Sequence, residues 1–299
     1  MKRILSLVLI LCMTAAIFTA CGAKAQSYEL GIGAAVTANN AKLKYSATFA
    51  AVVIDAEGKI VDCRIDAMDI TAAVADGAVT ASSDFKSKAE LGDAYGMLSD
   101  YGSKLAEWDD QAKYFENAVK GKTLSEVQGI KTGDAALTAG CTIDVTDFVK
   151  AVVNAMNSAH KTTFTTAEAI TVGVAINGSV ADKNGNASYA TNASAVVLAG
   201  GKVVAAVIDC ADGTITVENG EGTALTYPGS KLEQGDNYGM VKYANASAEW
   251  YTQAQTYANT AVGKTASEVS SLATEGVAGC TIAVDIYKAV IVEAVQYAR

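Results

Sequence analysis

Two short boxes of the sequence combine residue types that could bind a phosphate group. Each reads Ala-Gly-Cys-Thr-Ile, beginning at Ala139 and again at Ala278, and each precedes a stretch with the apolar periodicity of a helix. A glycine lets the backbone approach a ligand closely, and a threonine at a helix start carries a hydroxyl beside amides without intrahelical partners. Because those amides and the helix dipole favour negative charge, the boxes predict phosphate sites at Thr142 and Thr281. The alternative is that both threonines only cap their helices.

A second pair of boxes carries glycines around an aromatic residue. The sequences are Glu-Leu-Gly-Asp-Ala-Tyr-Gly-Met from Glu90 and Glu-Gln-Gly-Asp-Asn-Tyr-Gly-Met from Glu233. Such a loop could lie against a planar ligand, or it could be a structural turn whose tyrosine fills the core. The candidate residues are Gly92, Tyr95, Gly96, Gly235, Tyr238 and Gly239. Trp108 and Trp250 follow on apolar helix stripes, which favours a core position over stacking on a ligand.

The boxes recur because the chain contains the same blocks twice. Glu-Trp-x-x-Gln-Ala occurs at Glu107 and Glu249, and Gly-Lys-Thr occurs at Gly121 and Gly263. Collinear blocks with small deletions between them indicate a duplication. The sequence therefore predicts two repeat domains, at residues 30–159 and 169–299, joined by a polar linker at 160–168.

The pattern within one copy predicts strands followed by helices. Residues 46–55 and 60–66 are rich in β-formers around turn residues, which indicates a hairpin, and residues 194–198 and 202–209 repeat it. Helical periodicity covers 103–120 and 142–159 in the first copy and 246–262 and 281–298 in the second. Thr123 and Thr265 open capping boxes. The predicted class is α+β, with two tandem homologous domains that each have an antiparallel β-rich front and C-terminal helices.

The N-terminus has the pattern of a secretory signal. Lys2 and Arg3 precede an apolar run to Ile17, and residues 1–20 end on small residues before Cys21. This ending resembles a lipobox, which predicts lipidation of Cys21, a tether at 21–29 and a location on the outer face of a bacterial cell membrane. The alternative is a simple cleaved signal with an incidental cysteine.

Charge excludes one class of partner. Removal of Lys2 and Arg3 lowers the 23 basic residues to 21, against 32 acidic ones, so the mature chain carries a net charge of −11. An acidic chain does not follow phosphate backbones, and nucleic acid is not an expected partner.

The remaining cysteines could form one bridge per domain. They are Cys63 and Cys141 in the first copy and Cys210 and Cys280 in the second. An exported compartment permits disulfides, and the alternative is two buried thiols per domain. With a single histidine, His160, and no Cys-x-x-Cys pair, no metal site is predicted. No nucleophile and base pair recurs in both copies, so no catalytic residue is assigned.

The combined layout resembles the FMN-binding domain family. The resemblance depends on three features: the Asp-x-x-Gly-Lys-Ile hairpin from Asp55, the middle glycine box, and a Gly-x-Thr box before a terminal helix. The resemblance covers both copies, and it implies a flavin phosphate on Thr142 and Thr281, esterified by a flavin transferase. The flanking residues would be Gly140, Cys141, Gly279 and Cys280. The chain departs from the family pattern where it has alanine and cysteine around the glycine.

Two functions follow from these observations. The first is a membrane-anchored electron-transfer flavin carrier that holds FMN twice, meets membrane redox partners and has no turnover of its own. The second is a cofactor-free surface lipoprotein that recognises a small ligand or a protein partner.

Overall fold

The computed structural model describes residues 24–299 and contains two four-stranded antiparallel sheets. The first sheet is formed by β1 (Gln26–Asn39), β2 (Lys44–Ile54), β3 (Ile60–Thr71) and β6 (Thr162–Thr166), in the order β3-β2-β1-β6. The second is formed by β7 (Ile170–Lys183), β8 (Asn186–Ala199), β9 (Lys202–Glu218) and β10 (Glu221–Thr226), in the order β10-β9-β8-β7. A small hairpin joins β4 (Ala73–Ala75) and β5 (Ala78–Thr80). The predicted signal segment and Cys21 lie outside the described residues.

Helices follow the strands in the same order in both halves of the chain. The first half contains α1 (Lys88–Leu91), α2 (Trp108–Val119), α3 (Leu124–Gln128) and α4 (Thr146–Asn157). The second half contains α5 (Lys231–Gln234), α6 (Met240–Ala244), α7 (Trp250–Asn259), α8 (Ala266–Val269) and α9 (Asp285–Gln296). The α+β class predicted from the sequence is confirmed.

The hairpin between β2 and β3 shows how local chemistry sets the strand ends. The Asp55 carboxylate accepts hydrogen bonds from the amides of Glu57 and Lys59, at 3.1 and 2.8 Å. Gly58 has a φ of +74°, a conformation that glycine adopts without a steric cost. This turn reverses the direction of the chain, so that β2 and β3 run antiparallel. Ala50 then pairs with Ile65, and the two strands share a continuous face.

The two sheets pack face to face, and one hydrophobic cluster spans both halves of the chain. At its centre the rings of Tyr45 and Tyr189 stack with their centroids 5.0 Å apart. Both side chains are buried, and each hydroxyl donates to the other half of the chain: Tyr45 to the Ala211 carbonyl and Tyr189 to the Leu43 carbonyl. Because a buried phenol needs a hydrogen-bond partner, these contacts fix how one sheet sits on the other.

The outer face of each sheet is covered by helices, which makes four layers in the order helix, sheet, sheet, helix. Glycines on β1 and β7 let the long helices approach closely. A Cβ atom at Gly33 would lie 2.2 Å from the backbone nitrogen of Ala155 on α4, and one at Gly173 would lie 1.9 Å from the carbonyl oxygen of Ala294 on α9. The absence of a side chain at these strand positions therefore sets the spacing between sheet and helix.

Two boundaries predicted from the sequence are wrong. The expected linker at 160–168 contains strand β6, in which Thr162 pairs with Leu30 and Thr166 with Gln26. Four threonines and the buried Phe164 give this segment strong β-propensity, so it adds an edge strand to the first sheet. The expected tether at 21–29 overlaps β1, which begins at Gln26 and pairs with β6 from its first residue.

Arg299 joins the two halves of the chain through contacts with the buried Glu116 and with Arg64. The Arg299 guanidinium lies 3.0 Å from Glu116 Oε2 on α2, and the Arg299 backbone pairs with Val172 on β7. Arg64 on β3 donates to the Arg299 carbonyl and lies 3.6 Å from Glu116. Only 2% of Glu116 is exposed, so its charge is compensated by residues of both halves.

Candidate functional site

Neither threonine of the Ala-Gly-Cys-Thr boxes begins or caps a helix. Helix α4 begins at Thr146 with Val145 at its N-cap, and α9 begins at Asp285 with Val284 at its N-cap. The expected helix starts at Thr142 and Thr281 are therefore wrong, and so is the alternative that they act as caps. Both threonines are exposed residues in the turn before the helix.

A buried glutamine organises each box. The Gln111 Oε1 atom accepts from the amide and the hydroxyl of Thr142, at 2.9 and 3.2 Å. Gln253 Oε1 accepts from the same two groups of Thr281, at 2.7 and 3.0 Å. Both glutamines have no exposed surface, and their Nε2 atoms donate to carbonyls at the start of α2 and α7. Sequence reasoning missed their role, although the repeated Glu-Trp-x-x-Gln-Ala block contained the signal.

The box glycines have different surroundings in the two halves. A Cβ at Gly140 would lie 1.9 Å from the ring of Tyr114, so this ring packs directly on the glycine backbone. At Gly279, with a φ of +79°, the nearest atom to such a Cβ is a methyl carbon of Thr256 at 3.6 Å. Tyr114 and Thr256 occupy corresponding positions, and only in the first half does an aromatic ring pack directly on the box glycine.

The four cysteines predicted as disulfide candidates are free thiols. Cys63, Cys141 and Cys210 are buried, and Cys280 is partly buried. Burial raises the pKa of each thiol, which keeps these residues in the neutral, unreactive form. The expected bridges are therefore not formed, and the alternative of small buried thiols accounts for these positions.

The Tyr-Gly-Met boxes are structural turns. Gly92 to Tyr95 and Gly235 to Tyr238 form single 3₁₀ turns, and the next glycine of each, Gly96 and Gly239, is left-handed. A carboxylate from the N-cap of α2 or α7 closes each turn. Glu107 accepts from the amides of Met97 and Leu98 at 2.7 and 3.1 Å, and Glu249 accepts from those of Met240 and Val241 at 2.8 and 3.1 Å.

The aromatic rings near these turns surround a lysine in each half. Lys88 Nζ lies 4.9 Å from the Tyr95 ring centroid and 5.5 Å from that of Trp108. Lys231 has the same relation to Tyr238 and Trp250, at 5.2 and 5.3 Å. The lysines also pair with Asp69 and Asp212, at 3.4 and 3.2 Å. Because their partners are internal and both tryptophans are buried, these clusters hold α1 and α5 in place.

Each half contains a buried carboxylate whose pKa is well above its ordinary value. Asp66 and Asp209 are each 1% exposed, and burial raises the pKa of each carboxyl to about 7. In each, Oδ1 accepts two backbone amides, and a serine hydroxyl, that of Ser87 or Ser230, also hydrogen-bonds to the charged form of the carboxylate. Sequence reasoning did not single out either residue.

An open cavity of about 730 Å³ lies on the surface of the first half. It lies between α2 and the segment that follows α3, beside the Gly140 box. Its apolar walls are Tyr114, Ala118, Ile130, Ala136 and Leu137, and its polar groups are Asn117, Lys122, Glu126 and Asp134. Size and composition are those of a small-molecule site.

The residues of the two threonine boxes do not fit a bound flavin phosphate. A phosphate at a helix N-terminus needs free amides, yet the Thr142 and Thr281 amides are already bonded to glutamine. In the first half, the Val145 and Thr146 amides donate to Thr132 and Asp144. The Asp144 carboxylate thus takes the place that an anion would occupy at the start of α4.

Comparisons with protein-family models, with curated proteins and with solved structures find no match to this chain. Within residues 24–299, no helix is long and apolar enough to cross a membrane. The same part of the chain contains no group of three or more metal-ligating side chains.

Proposed function

We propose that this chain is an extracytoplasmic, membrane-tethered binding protein that holds one small amphipathic molecule in the cavity of its first half. The observation that carries the proposal is the cavity of about 730 Å³, within the size range of ligand sites. The secretory signal and the lipidation of Cys21 are predictions from the sequence, and they supply the location.

The cavity walls indicate the kind of ligand. The Tyr114 ring, Ile130 and Leu137 form an apolar surface suited to a planar or branched hydrocarbon group. Among the residues that line this cavity, Lys122 is the basic one, and it lies beside the acidic Glu126 and Asp134. An aromatic ligand with an anionic group would therefore place its ring on Tyr114 and its charge near Lys122.

Sequence differences between the halves favour one site per chain. Thr256 stands where the first half has Tyr114, so the second half lacks the aromatic wall. A duplicated fold whose halves differ at this position fits a binding protein better than a carrier with two identical stations.

A covalent flavin carrier is the second candidate, and one observation favours it. Thr142 and Thr281 are exposed in both halves, so a flavin transferase could reach both hydroxyls. Esterification would remove the hydroxyl proton that each threonine donates to its glutamine, so the box would have to rearrange. For this reason FMN stays a prediction from the resemblance and comes second.

The test uses the mature chain with two probes, anilinonaphthalene sulfonate and FMN, each followed by fluorescence. We expect saturable binding of the sulfonate at one site per chain, weakened at least tenfold by Ala118→Trp, which fills the cavity. Thr256→Ala is the control, because it makes a change at the position matching Tyr114 without touching the cavity. Equal binding by all three proteins would overturn the cavity proposal.

The flavin candidate is tested in the same preparation. Chain produced with a flavin transferase is compared with Thr142→Ala and Thr281→Ala by intact mass. An added flavin phosphate that disappears stepwise with the two substitutions would replace the cavity proposal with the carrier. An unmodified mass together with tight sulfonate binding would remove the carrier.

A further inference from the structure

A cavity of about 400 Å³ lies where the two halves of the chain meet. Residues 159–162, between α4 and β6, line one side of it, and helix α7 of the second half lines the other. Ile208 and Leu232, which are both buried, supply an apolar surface. This inter-half cavity shares no lining residue with the cavity of the first half, so the two can be tested separately.

The α7 side of the inter-half cavity is polar but uncharged. Acidic residues outnumber basic ones in the chain by 32 to 23, yet none of the residues that line this cavity is acidic. The lining lysine, Lys161, lies 3.8 Å from Glu29 and donates to the carbonyls of Met156 and Ser158, which do not line the cavity. The polar residues that α7 contributes are Tyr251, Thr252, Gln255, Thr256 and Asn259.

Two side-chain amides of α7 are held in a fixed orientation. Gln255 Nε2 donates to the Ala206 carbonyl at 3.1 Å and to Asn259 Oδ1 at 2.8 Å. These contacts use both protons of the Gln255 amide, which leaves Gln255 Oε1 as an acceptor and Asn259 Nδ2 as a donor. A neighbouring acceptor and donor match hydroxyl groups, because a hydroxyl both donates and accepts.

An aromatic pair bridges the two sides of the cavity. The imidazole of His160 lies on the ring of Tyr251 with the centroids 4.2 Å apart, and both residues line the cavity. The Tyr251 hydroxyl donates to Asp236 Oδ1 at 3.0 Å, which holds its ring in place. Burial lowers the pKa of His160, so the imidazole is neutral at pH 7. The pair therefore offers an uncharged aromatic surface on which C–H groups can pack.

We propose that the inter-half cavity binds one uncharged sugar, with the C–H groups of its ring against His160 and Tyr251 and its hydroxyls at Gln255 and Asn259. A volume of about 400 Å³ lies within the range of small-molecule sites. The charge of Lys161 is compensated by groups outside the cavity, so an anion gains little here. A purely apolar ligand would leave the two amides without partners.

The first half has no equivalent site. When the two Glu-Trp-x-x-Gln-Ala blocks are aligned, Asp109, Asp110 and Lys113 of α2 stand where α7 has uncharged residues. Lys113 lies 2.7 Å from Asp109 and 2.9 Å from Asp110, so this helix face consists of paired charges. The cavity beside Asp109 measures only about 70 Å³ and is lined by two arginines. We therefore expect one sugar site per chain, and α2 supplies matched control positions.

The test titrates the untagged mature chain at pH 7 with glucose, galactose and N-acetylglucosamine in turn and follows the imidazole signals by NMR. The chain has one histidine, so these signals belong to His160. We expect a saturable shift with at least one of the three sugars. Butanol and sodium benzoate, which lack neighbouring hydroxyl groups, are the ligand controls and should give no saturable shift.

Variants on α7 then locate the site. Gln255→Leu removes the acceptor of the amide pair and should weaken sugar binding at least about tenfold, whereas Lys113→Leu at the matching position of α2 should leave it unchanged. Thr252→Trp fills the cavity from an exposed position and should abolish binding, so it decides the matter if Gln255→Leu fails to fold. Asp110→Trp, at the matching exposed position of α2, is its control and should bind like the parent chain.

Three results would overturn the proposal. They are the lack of a saturable shift with all three sugars in the parent chain, equally strong binding of butanol or benzoate, and sugar binding that Thr252→Trp does not reduce. None of them bears on sulfonate binding in the first half, because the two cavities share no lining residue.

Discussion

Replacing Asp66 or Asp209 with asparagine should flatten the dependence of stability on pH. Each carboxyl has a pKa of about 7 in the folded chain, against an ordinary value of 3.8. The folded state therefore holds the proton more tightly than the unfolded state. By linkage, the free energy of unfolding is highest below the unfolded pKa and falls as pH rises toward the folded pKa.

The size of the effect follows from the pKa difference. A difference of about three units corresponds to roughly 4 kcal/mol per carboxyl between about pH 4 and pH 8. The physical cause is burial, assisted by a neighbouring carboxylate: Glu293 beside Asp66 and Glu233 beside Asp209. Ser87 and Ser230 and the backbone amides of α1 and α5 oppose the shift by hydrogen bonding to the charged form.

The assay is urea unfolding at several pH values, followed by tryptophan fluorescence, since Trp108 and Trp250 are both buried. Each single substitution should remove its own share of the slope, and the double variant should remove both. The new amide introduces a buried donor that costs about 1–3 kcal/mol at every pH, so the slope is the informative quantity. Slopes equal to that of the parent chain would refute the reasoning.

Two other substitutions test contacts described above. Gln111→Leu removes the acceptor for the Thr142 amide and hydroxyl, and we expect the free energy of unfolding in urea to fall by about 1–3 kcal/mol. Gln253→Leu should cause a similar loss. A loss below about 0.5 kcal/mol in both variants would show that the glutamines do not hold the boxes. Arg299→Ala removes a positive charge beside the buried Glu116, and we expect the free energy of unfolding to fall by about 1–3 kcal/mol at pH 8. The loss should be smaller at pH 4, because burial raises the pKa of Glu116 and favours its neutral form. Lys183→Ala, at an exposed position without an ion pair among the described residues, is the control for that change, and a loss independent of pH would contradict the charge argument.

Local signals predicted the β2–β3 hairpin and the α3 and α8 caps well. Asp55 and Gly58 have turn chemistry that acts within five residues, and the capping boxes at Thr123 and Thr265 form as the spacing indicates. The first strand of each half was missed. In β1, the glycines that make room for α4 weaken the β signal, and their purpose becomes visible only when the helix is in place.

Non-local packing explains the other differences. Strand β2 is buried on both faces, and the continuous apolar run from Phe49 to Ile54 is typical of such a strand. The sequence does not indicate which surface covers the second face. The threonine boxes were misjudged because the amide of Thr142 is taken by a glutamine 31 residues earlier. A contact of that kind depends on the tertiary arrangement of α2 and leaves no local spacing to recognise.

The stacked tyrosines at the centre of the molecule give the chain the design of a dimer whose subunits have been fused. Tyr45 and Tyr189 are matching residues that meet each other, as residues on a two-fold axis do. In a true homodimer, any mutation appears on both sides of the axis, so the two outer surfaces must change together. Fusion removes that constraint: the inner faces stay matched, while one outer surface can acquire a tyrosine where the other keeps a threonine.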